Sequence, residues 1–155
     1  EEVELIGLHK IPKPKLPEKI LEIHRRLNLT NPGHLGVPLK LPEHLPPDIE
    51  EMRNQSYRTY NMNEFAANLI PLDRELPDFR ADYCKKQTYH ENLPKASIIS
   101  VFHNEPLPMI LRTVYSILIR TPPKLLNEIV LVDDCSTHGE LKSCKPRSQP
   151  TISLP

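Results

Sequence analysis

Polar side chains that can bind a ligand follow two short apolar runs, residues 97–102 and 128–132. They comprise an imidazole, an amide and three carboxylates, on His103, Asn104, Glu105, Asp133 and Asp134. A carboxylate at the end of a strand can accept hydrogen bonds from a base N–H or a ribose hydroxyl. The loop after the first run is not glycine-rich, so it does not predict a backbone cradle for phosphate.

The apolar runs themselves predict two strands that are covered on both faces, as in a parallel sheet. Between them lies a segment of helical period whose apolar positions share one side: Leu107, Ile110, Leu111, Val114 and Leu118. A right-handed crossover places such strands side by side, with both carboxyl ends at the edge where open α/β sheets bind ligands. We therefore predict an α/β fold with one βαβ unit and a ligand site at that edge. One such unit cannot bury both faces of its strands, so we expect a piece of a larger fold.

The first third of the chain is rich in proline, with eight of the 18 prolines before residue 48. This density predicts an extended, partly disordered segment. Within it, the spacing of Ile20, Ile23 and Leu27 predicts a short helix beginning at Pro17. A second helix is predicted from Asp48 to about Leu69. Residues 71–94 show no period, and residues 143–155, with two interior prolines, are expected to supply no third strand.

Composition excludes several function classes. Lys plus Arg equals Asp plus Glu at 20 each, so the net charge does not favour nucleic acid as a partner. No apolar run approaches ~18 residues, so no membrane span is predicted in this chain. The seven histidines are scattered and the three cysteines, Cys84, Cys135 and Cys144, form no metal pattern. Asn28 and Asn54 begin two Asn-x-Ser/Thr triplets, which are possible glycosylation sites.

Several motifs occur in order over residues 60–142. They are Leu72-Asp73-Arg74, Leu76-Pro77-Asp78-Phe79-Arg80, Cys84-Lys85, Leu93-Pro94, Phe102-His103-Asn104-Glu105, Leu111-Arg112-Thr113-Val114-Tyr115-Ser116-Ile117, Thr121-Pro122 and Glu128-Ile129-Val130-Leu131-Val132-Asp133-Asp134. Together they resemble the polypeptide N-acetylgalactosaminyltransferases, the Golgi enzymes that begin mucin-type O-glycosylation. The chain then divides into a stem-like proline-rich segment (1–59), the N-terminal part of a glycosyltransferase family 2-like, GT-A domain (60–142) and a divergent tail (143–155).

The resemblance implies an incomplete GT-A, Rossmann-like fold and a Golgi location. It implies UDP-N-acetylgalactosamine (UDP-GalNAc) as donor, Mn²⁺ on its diphosphate, and Ser or Thr of a protein as acceptor. His103 falls in the loop that lines the family's nucleotide pocket, and Asp134 falls where the family contacts the uridine. Val101 falls near the uracil, where it could offer only its backbone.

The family's metal-binding Asp-x-His motif, its further metal-ligating His, its acceptor-side Trp-Gly-Gly-Glu-Asn stretch and its lectin domain lie beyond the position of Asp134, and none occurs in these residues. We therefore expect this chain alone to be catalytically inactive, to bind no metal and to bind UDP weakly at best. It would be a truncated transferase. Two alternatives are a regulatory fragment that pairs with a full-length transferase through an exposed sheet edge, and a secreted proline-rich linker protein whose likeness to the family is fortuitous.

Each candidate residue also has a plainer interpretation. Asp133 and Asp134 can cap the next helix, Glu105 can order its loop, and His103 can be an ordinary loop histidine. Arg112 is expected to be solvated or salt-bridged. The resemblance gives Cys84 a distant downstream partner, so here we expect it to be free or mispaired, and we expect Cys135 to be incidental.

Overall fold

The computed structural model describes residues 14–137 and the backbone of residues 151–154. In chain order these residues form α1 (Glu18–Arg26), α2 (Pro47–Tyr60), α3 (Glu64–Asn68), α4 (Asp82–Lys85), β1 (Ala96–Phe102), α5 (Leu107–Arg120), β2 (Leu126–Asp133) and β3 (Thr151–Leu154), with a 3-10 turn at His34–Gly36 between α1 and α2.

The two predicted strands lie side by side in a parallel sheet. Ile98 of β1 lies opposite Ile129 of β2, and the pairing continues to Phe102 opposite Asp133. Helix α5 connects them and buries Ile110 and Val114. The βαβ prediction is therefore confirmed. One face of β1 stays open, as expected for a single unit, since Ile99 is 67% exposed.

The prediction that the tail supplies no third strand is wrong for residues 151–154. Strand β3 runs antiparallel to β2, with Thr151 opposite Val132 and Leu154 opposite Ile129, and the sheet order is β1-β2-β3. Pro146 and Pro150 precede β3 in the sequence and Pro155 follows it, so no proline removes a donor from its ladder. The alternating sequence Thr-Ile-Ser-Leu was the available signal for a strand.

The N-terminal helices surround their own hydrophobic core. Its buried residues come from the predicted apolar face of α1, against which Ile20 is partly buried, and from α2, α3 and positions next to them: Ile23, Leu27, Leu45, Ile49, Phe65 and Leu69. Ion pairing of Arg26 with Asp48, at 2.6 Å, adds a surface link between α1 and α2. The packing crosses residue 59, and the division of the chain at that position stays a prediction.

The helix predicted from Asp48 to about Leu69 is two helices. At Asn61 the backbone turns left-handed (φ 54°), which ends α2. The Asn63 side chain then accepts a hydrogen bond from the Ala66 N–H at 3.0 Å and caps α3. Asparagine is suited both to a left-handed position and to an N-cap, because its short amide side chain bonds to nearby backbone. The apolar stripe of helical spacing continues past Asn61, so the sequence pattern did not reveal the break.

Arg112 fastens α5 to the N-terminal helices. Its Nη2 donates to the carbonyl oxygens of Ala67 at 2.8 Å and Ile70 at 2.9 Å. Arg112 was expected to be solvated or salt-bridged, and instead it binds two backbone carbonyls at the end of α3, of which the Ala67 carbonyl also accepts the Ile70 N–H at 3.2 Å. Burial, and secondarily the charge of Arg74, lower the pKa of Arg112.

Gly33 is a position where only glycine fits. Its φ is +76°, and a Cβ there would meet Ile70 Cγ2 at 2.6 Å. We expect Gly33→Ala to lower the free energy of unfolding by about 1–3 kcal/mol more than Gly36→Ala does. Gly36 is the matched control because its φ is +74° but its nearest atom is Leu76 Cδ2 at 3.3 Å. Urea denaturation measures both variants, and equal losses would show that the contact with Ile70 does not matter.

Candidate functional site

The loops that follow β1 and β2 are joined by main-chain contacts at the carboxyl edge of the sheet. Asp134 donates its N–H to the Phe102 carbonyl at 2.8 Å, which extends the pairing beyond the strands. His103 Nδ1 lies 2.5 Å from the Asp134 carbonyl oxygen. The structure thus brings His103 and Asp134 together, as the crossover argument predicted.

The His103 ring uses both of its nitrogens inside the loop. A carbonyl oxygen only accepts, so Nδ1 carries the proton, and Nε2 accepts from the Asn104 side-chain amide at 2.9 Å. The neutral Nδ1–H tautomer satisfies both bonds. The exposed ring therefore offers a ligand its faces, while neither nitrogen is free to serve as a base or a metal ligand.

Asp133 is turned inward and orders the second loop. Its carboxylate, 3% exposed, accepts from the Ser136 backbone N–H at 2.9 Å and from the Ser136 hydroxyl at 2.6 Å. Ser136 Oγ in turn accepts from the Asn104 N–H at 2.9 Å, which links the two loops. This geometry makes Asp133 a residue that orders its own loop, and the helix that it was expected to cap would begin after residue 137, outside the described residues. Sequence reasoning missed Ser136, although Asp-x-x-Ser is a recognisable capping spacing.

Two residues of these loops hold a left-handed backbone, Asn104 with φ 52° and Cys135 with φ 62°. Asn104 suits that conformation, and its Oδ1 also accepts from the Thr137 N–H at 2.7 Å. Cys135 is less suited to it, because a left-handed backbone at a residue with a Cβ costs roughly 1–2 kcal/mol of conformational energy. Local strain of this kind is typical of loops held in place for a ligand.

The cysteines differ in state. Cys135, which was expected to be incidental, is disulfide-bonded. Cys84 is a free thiol, one of the two states expected for it. Cys144 lies outside the described residues.

Asp134 and Val101 are the predicted site residues that face outward. The Asp134 side chain is exposed, and none of the described residues hydrogen-bonds its carboxylate. Val101, opposite Val132 in the sheet, is 62% exposed. Exposed Glu105 lies in the first loop. The edge therefore presents an apolar side chain, an imidazole face and a carboxylate acceptor.

The described residues do not fit the manganese ion that the resemblance implies. Nowhere in residues 14–137 do three His, Cys, Asp or Glu side chains come together as a metal site. At the sheet edge Asp133 is occupied by Ser136 and His103 by its two partners, which leaves Asp134 as the unengaged ligand group of the β2 loop. We derive no chemical step through a metal.

The two glycosylation triplets lie in different settings. Asn28 is exposed just after α1. Asn54 lies half-buried inside α2, and its triplet's Ser56 is 4% exposed and donates to the Arg53 carbonyl at 2.8 Å. Both stay predictions.

Across the described ranges, no helix combines the length and the apolar character that a bilayer crossing requires.

Comparison with known proteins places this geometry in context. The sequence profile of "Glycosyl transferase family 2" matches residues 97–152. Polypeptide N-acetylgalactosaminyltransferase 13 of Rattus norvegicus is 38% identical over 128 residues, 83% of this chain and 22% of that protein. The Homo sapiens protein of that name is 40% identical over 115 residues, 74% of this chain and 20% of that protein. The chain thus spans about a fifth of the length of these relatives.

A solved structure shares the fold. The crystal structure of GalNAc-T7 with UDP, GalNAc and Mn²⁺ superposes with a TM-score of 0.63 and 34% identity, over 92% of this chain and 25% of that one. The prediction of an incomplete GT-A fold is confirmed.

The inward position of Asp133 and the outward position of Asp134 predict that the same substitution lowers stability at Asp133 and leaves it nearly unchanged at Asp134. Asp133→Ala leaves the buried Ser136 N–H and hydroxyl without their acceptor, and should lower the free energy of unfolding by about 1–3 kcal/mol. Asp134→Ala, the matched control, should change it by less than ~0.5 kcal/mol. Thermal and urea denaturation measure both variants. Equal effects would contradict the assignment of roles.

Proposed function

Because the chain belongs, over the part that it spans, to the polypeptide N-acetylgalactosaminyltransferase family, we propose that its sheet edge is the nucleotide-facing part of a GT-A donor site. Its ligand would be the uridine portion of UDP or UDP-GalNAc. One observation supports this proposal most directly: the loop is held in place by main-chain hydrogen bonds, while its exposed carboxylate has no hydrogen-bond partner among the described residues. His103 binds the Asp134 main chain, while the Asp134 side chain stays open to a ligand.

Each outward residue has a role in this proposal. The Asp134 carboxylate accepts a hydrogen bond from a ribose hydroxyl or the uracil N–H. The His103 ring packs against the nucleoside and positions the second loop through its bond to the Asp134 carbonyl. Val101 contributes its strand backbone and an apolar surface near the base.

In the parent enzymes this site would serve transfer of GalNAc from UDP-GalNAc to Ser or Thr of proteins, in the Golgi. The 155 residues alone would not carry that reaction out. The leaving diphosphate needs charge stabilisation, and the described residues at the edge offer too few free ligands to hold a metal for it.

The proposal predicts that UDP binds the chain and that Asp134 is required for binding. We expect the amide signals of residues 101–105 and 132–137 to shift on addition of UDP in a two-dimensional NMR spectrum. Replacing the charged acceptor by a neutral amide oxygen, which makes a weaker hydrogen bond, should weaken UDP binding about tenfold in Asp134→Asn.

Glu105→Gln is the matched control, because it removes the same charge from the same edge. It should leave affinity for UDP unchanged or slightly raised, since a nearby carboxylate repels the diphosphate. A folded chain whose spectrum does not respond to UDP, or equal weakening by both variants, would overturn the proposal.

The chain alone is also predicted to have no transferase activity. The pure chain, with UDP-GalNAc, Mn²⁺ and an acceptor peptide, should give no glycopeptide detectable by mass spectrometry, under conditions in which a full-length family member converts the peptide. Any glycopeptide that depends on this chain and on UDP-GalNAc would refute its inactivity.

A non-catalytic alternative rests on the open side of the sheet. In the described sheet, β1 pairs only with β2, and its Ile99 and Val101 are 67% and 62% exposed. An unpaired strand edge can add a strand of another chain. The occupant would be a full-length family member, since the chain corresponds to only 25% of the solved relative. Co-purification with such an enzyme that is lost in Ile99→Lys would favour this function, and no co-purification would exclude it.

A further inference from the structure

The arginines of the described residues fall into two groups. Five of the eight pair with a carboxylate: Arg25, Arg26, Arg53, Arg58 and Arg80. In one of these pairs, the hydrogen bonds from Arg80 lower the pKa of Asp78 to about 2. In residues 14–137 the other three, Arg74, Arg112 and Arg120, form no ion pair with a carboxylate.

These three unpaired arginines line one cavity of about 280 Å³, which lies between α5 and the segment before α4. No acidic side chain lines this cavity, whereas the hydroxyl-bearing Thr113 and Ser116 do. Three positive charges are thus collected where like charges repel one another.

The donors of this cavity are incompletely satisfied. The Nε atoms of Arg74 and Arg112 are buried without a hydrogen-bond partner among the described residues. The Arg120 side chain folds back along α5, and its Nη1 donates to the Ser116 hydroxyl at 2.9 Å. Arg112 uses Nη2 for the carbonyls of α3, which fixes its position at the wall of the cavity.

Ordinary structural roles account for part of this arrangement. A cation in the last turn of α5 suits the helix dipole, which explains the charge of Arg120. Carbonyl binding explains Arg112. Neither explains Arg74, nor why all three arginines without a carboxylate partner in residues 14–137 line the same cavity.

We propose that this cavity, defined by Arg74, Arg112 and Arg120, binds a tetrahedral oxyanion, a phosphate or sulfate group. Guanidinium groups bind such oxyanions through paired, charge-assisted hydrogen bonds, and serine and threonine hydroxyls add donors of the right size. A dianion compensates two of the three charges, whereas one carboxylate compensates one.

This site is separate from the proposed nucleotide edge. Helix α5 begins after the β1 loop at the carboxyl edge of the sheet, and its last turn, which holds Arg120, returns toward the amino edge. The cavity therefore follows the length of α5 away from His103 and Asp134.

The test is titration of the full chain with inorganic phosphate at constant ionic strength, with chloride as the balancing anion and acetate as the carboxylate probe. We expect phosphate to shift the amide signals of residues 112–117 and acetate to shift them much less. Arg74→Gln and Arg120→Gln should each weaken phosphate binding about tenfold. Arg58→Gln, which removes an arginine that is paired with Glu51, is the matched control and should leave binding unchanged.

A phosphate monoester, phosphoserine, distinguishes the source of the anion. Tighter binding than inorganic phosphate indicates an esterified group on a larger molecule, and equal binding indicates the free anion. The proposal is overturned if acetate binds as well as phosphate, if the three variants behave alike, or if the shifts fall on residues 103–105 and 134–137 instead. Circular dichroism of each variant confirms that a loss of binding is not a loss of fold.

Discussion

The buried carboxylate of Asp133 is the constraint on which the site depends. It holds the Ser136 N–H and hydroxyl at the end of β2, and Ser136 Oγ accepts from Asn104 in the loop after β1. A buried acceptor with fixed donors gives a loop one conformation, because any other leaves polar groups unsatisfied. The neighbouring Asp134 carboxylate faces solvent for the same reason, since the loop that holds Asp133 inward fixes the residue after it.

Arg112 has a comparable role at the level of the whole described structure. The N-terminal helices have their own core, and the βαβ unit forms a separate layer. The guanidinium joins them by donating to Ala67 and Ile70, carbonyls at the end of α3. That contact brings a positive charge into a half-buried position without a carboxylate, in the wall of the cavity that Arg74 and Arg120 also line.

The open face of the sheet has a different origin. Parallel strands are normally covered on both faces, and α5 covers one. Ile129 is 1% exposed, whereas Ile99 on the neighbouring strand is 67% exposed. The region matched by this chain makes up 25% of the solved relative. An exposed apolar strand face agrees with a fold of which the chain is one part.

Local sequence patterns were sufficient to predict β1, β2, the crossover helix, the start of α1 and the meeting of His103 with Asp134 at one edge of the sheet. Those features follow from the local periodicity of apolar residues and from the right-handed crossover of βαβ units, and neither depends on contacts with distant parts of the chain. The three-dimensional structure was needed to show which of two adjacent carboxylates turns inward, the break at Asn61, the pairing of β3 with β2, and the partners of Arg112. Each of these features depends on contacts with groups distant in sequence, or on which of several alternative local hydrogen bonds forms. The pattern of residue types along the chain does not specify either.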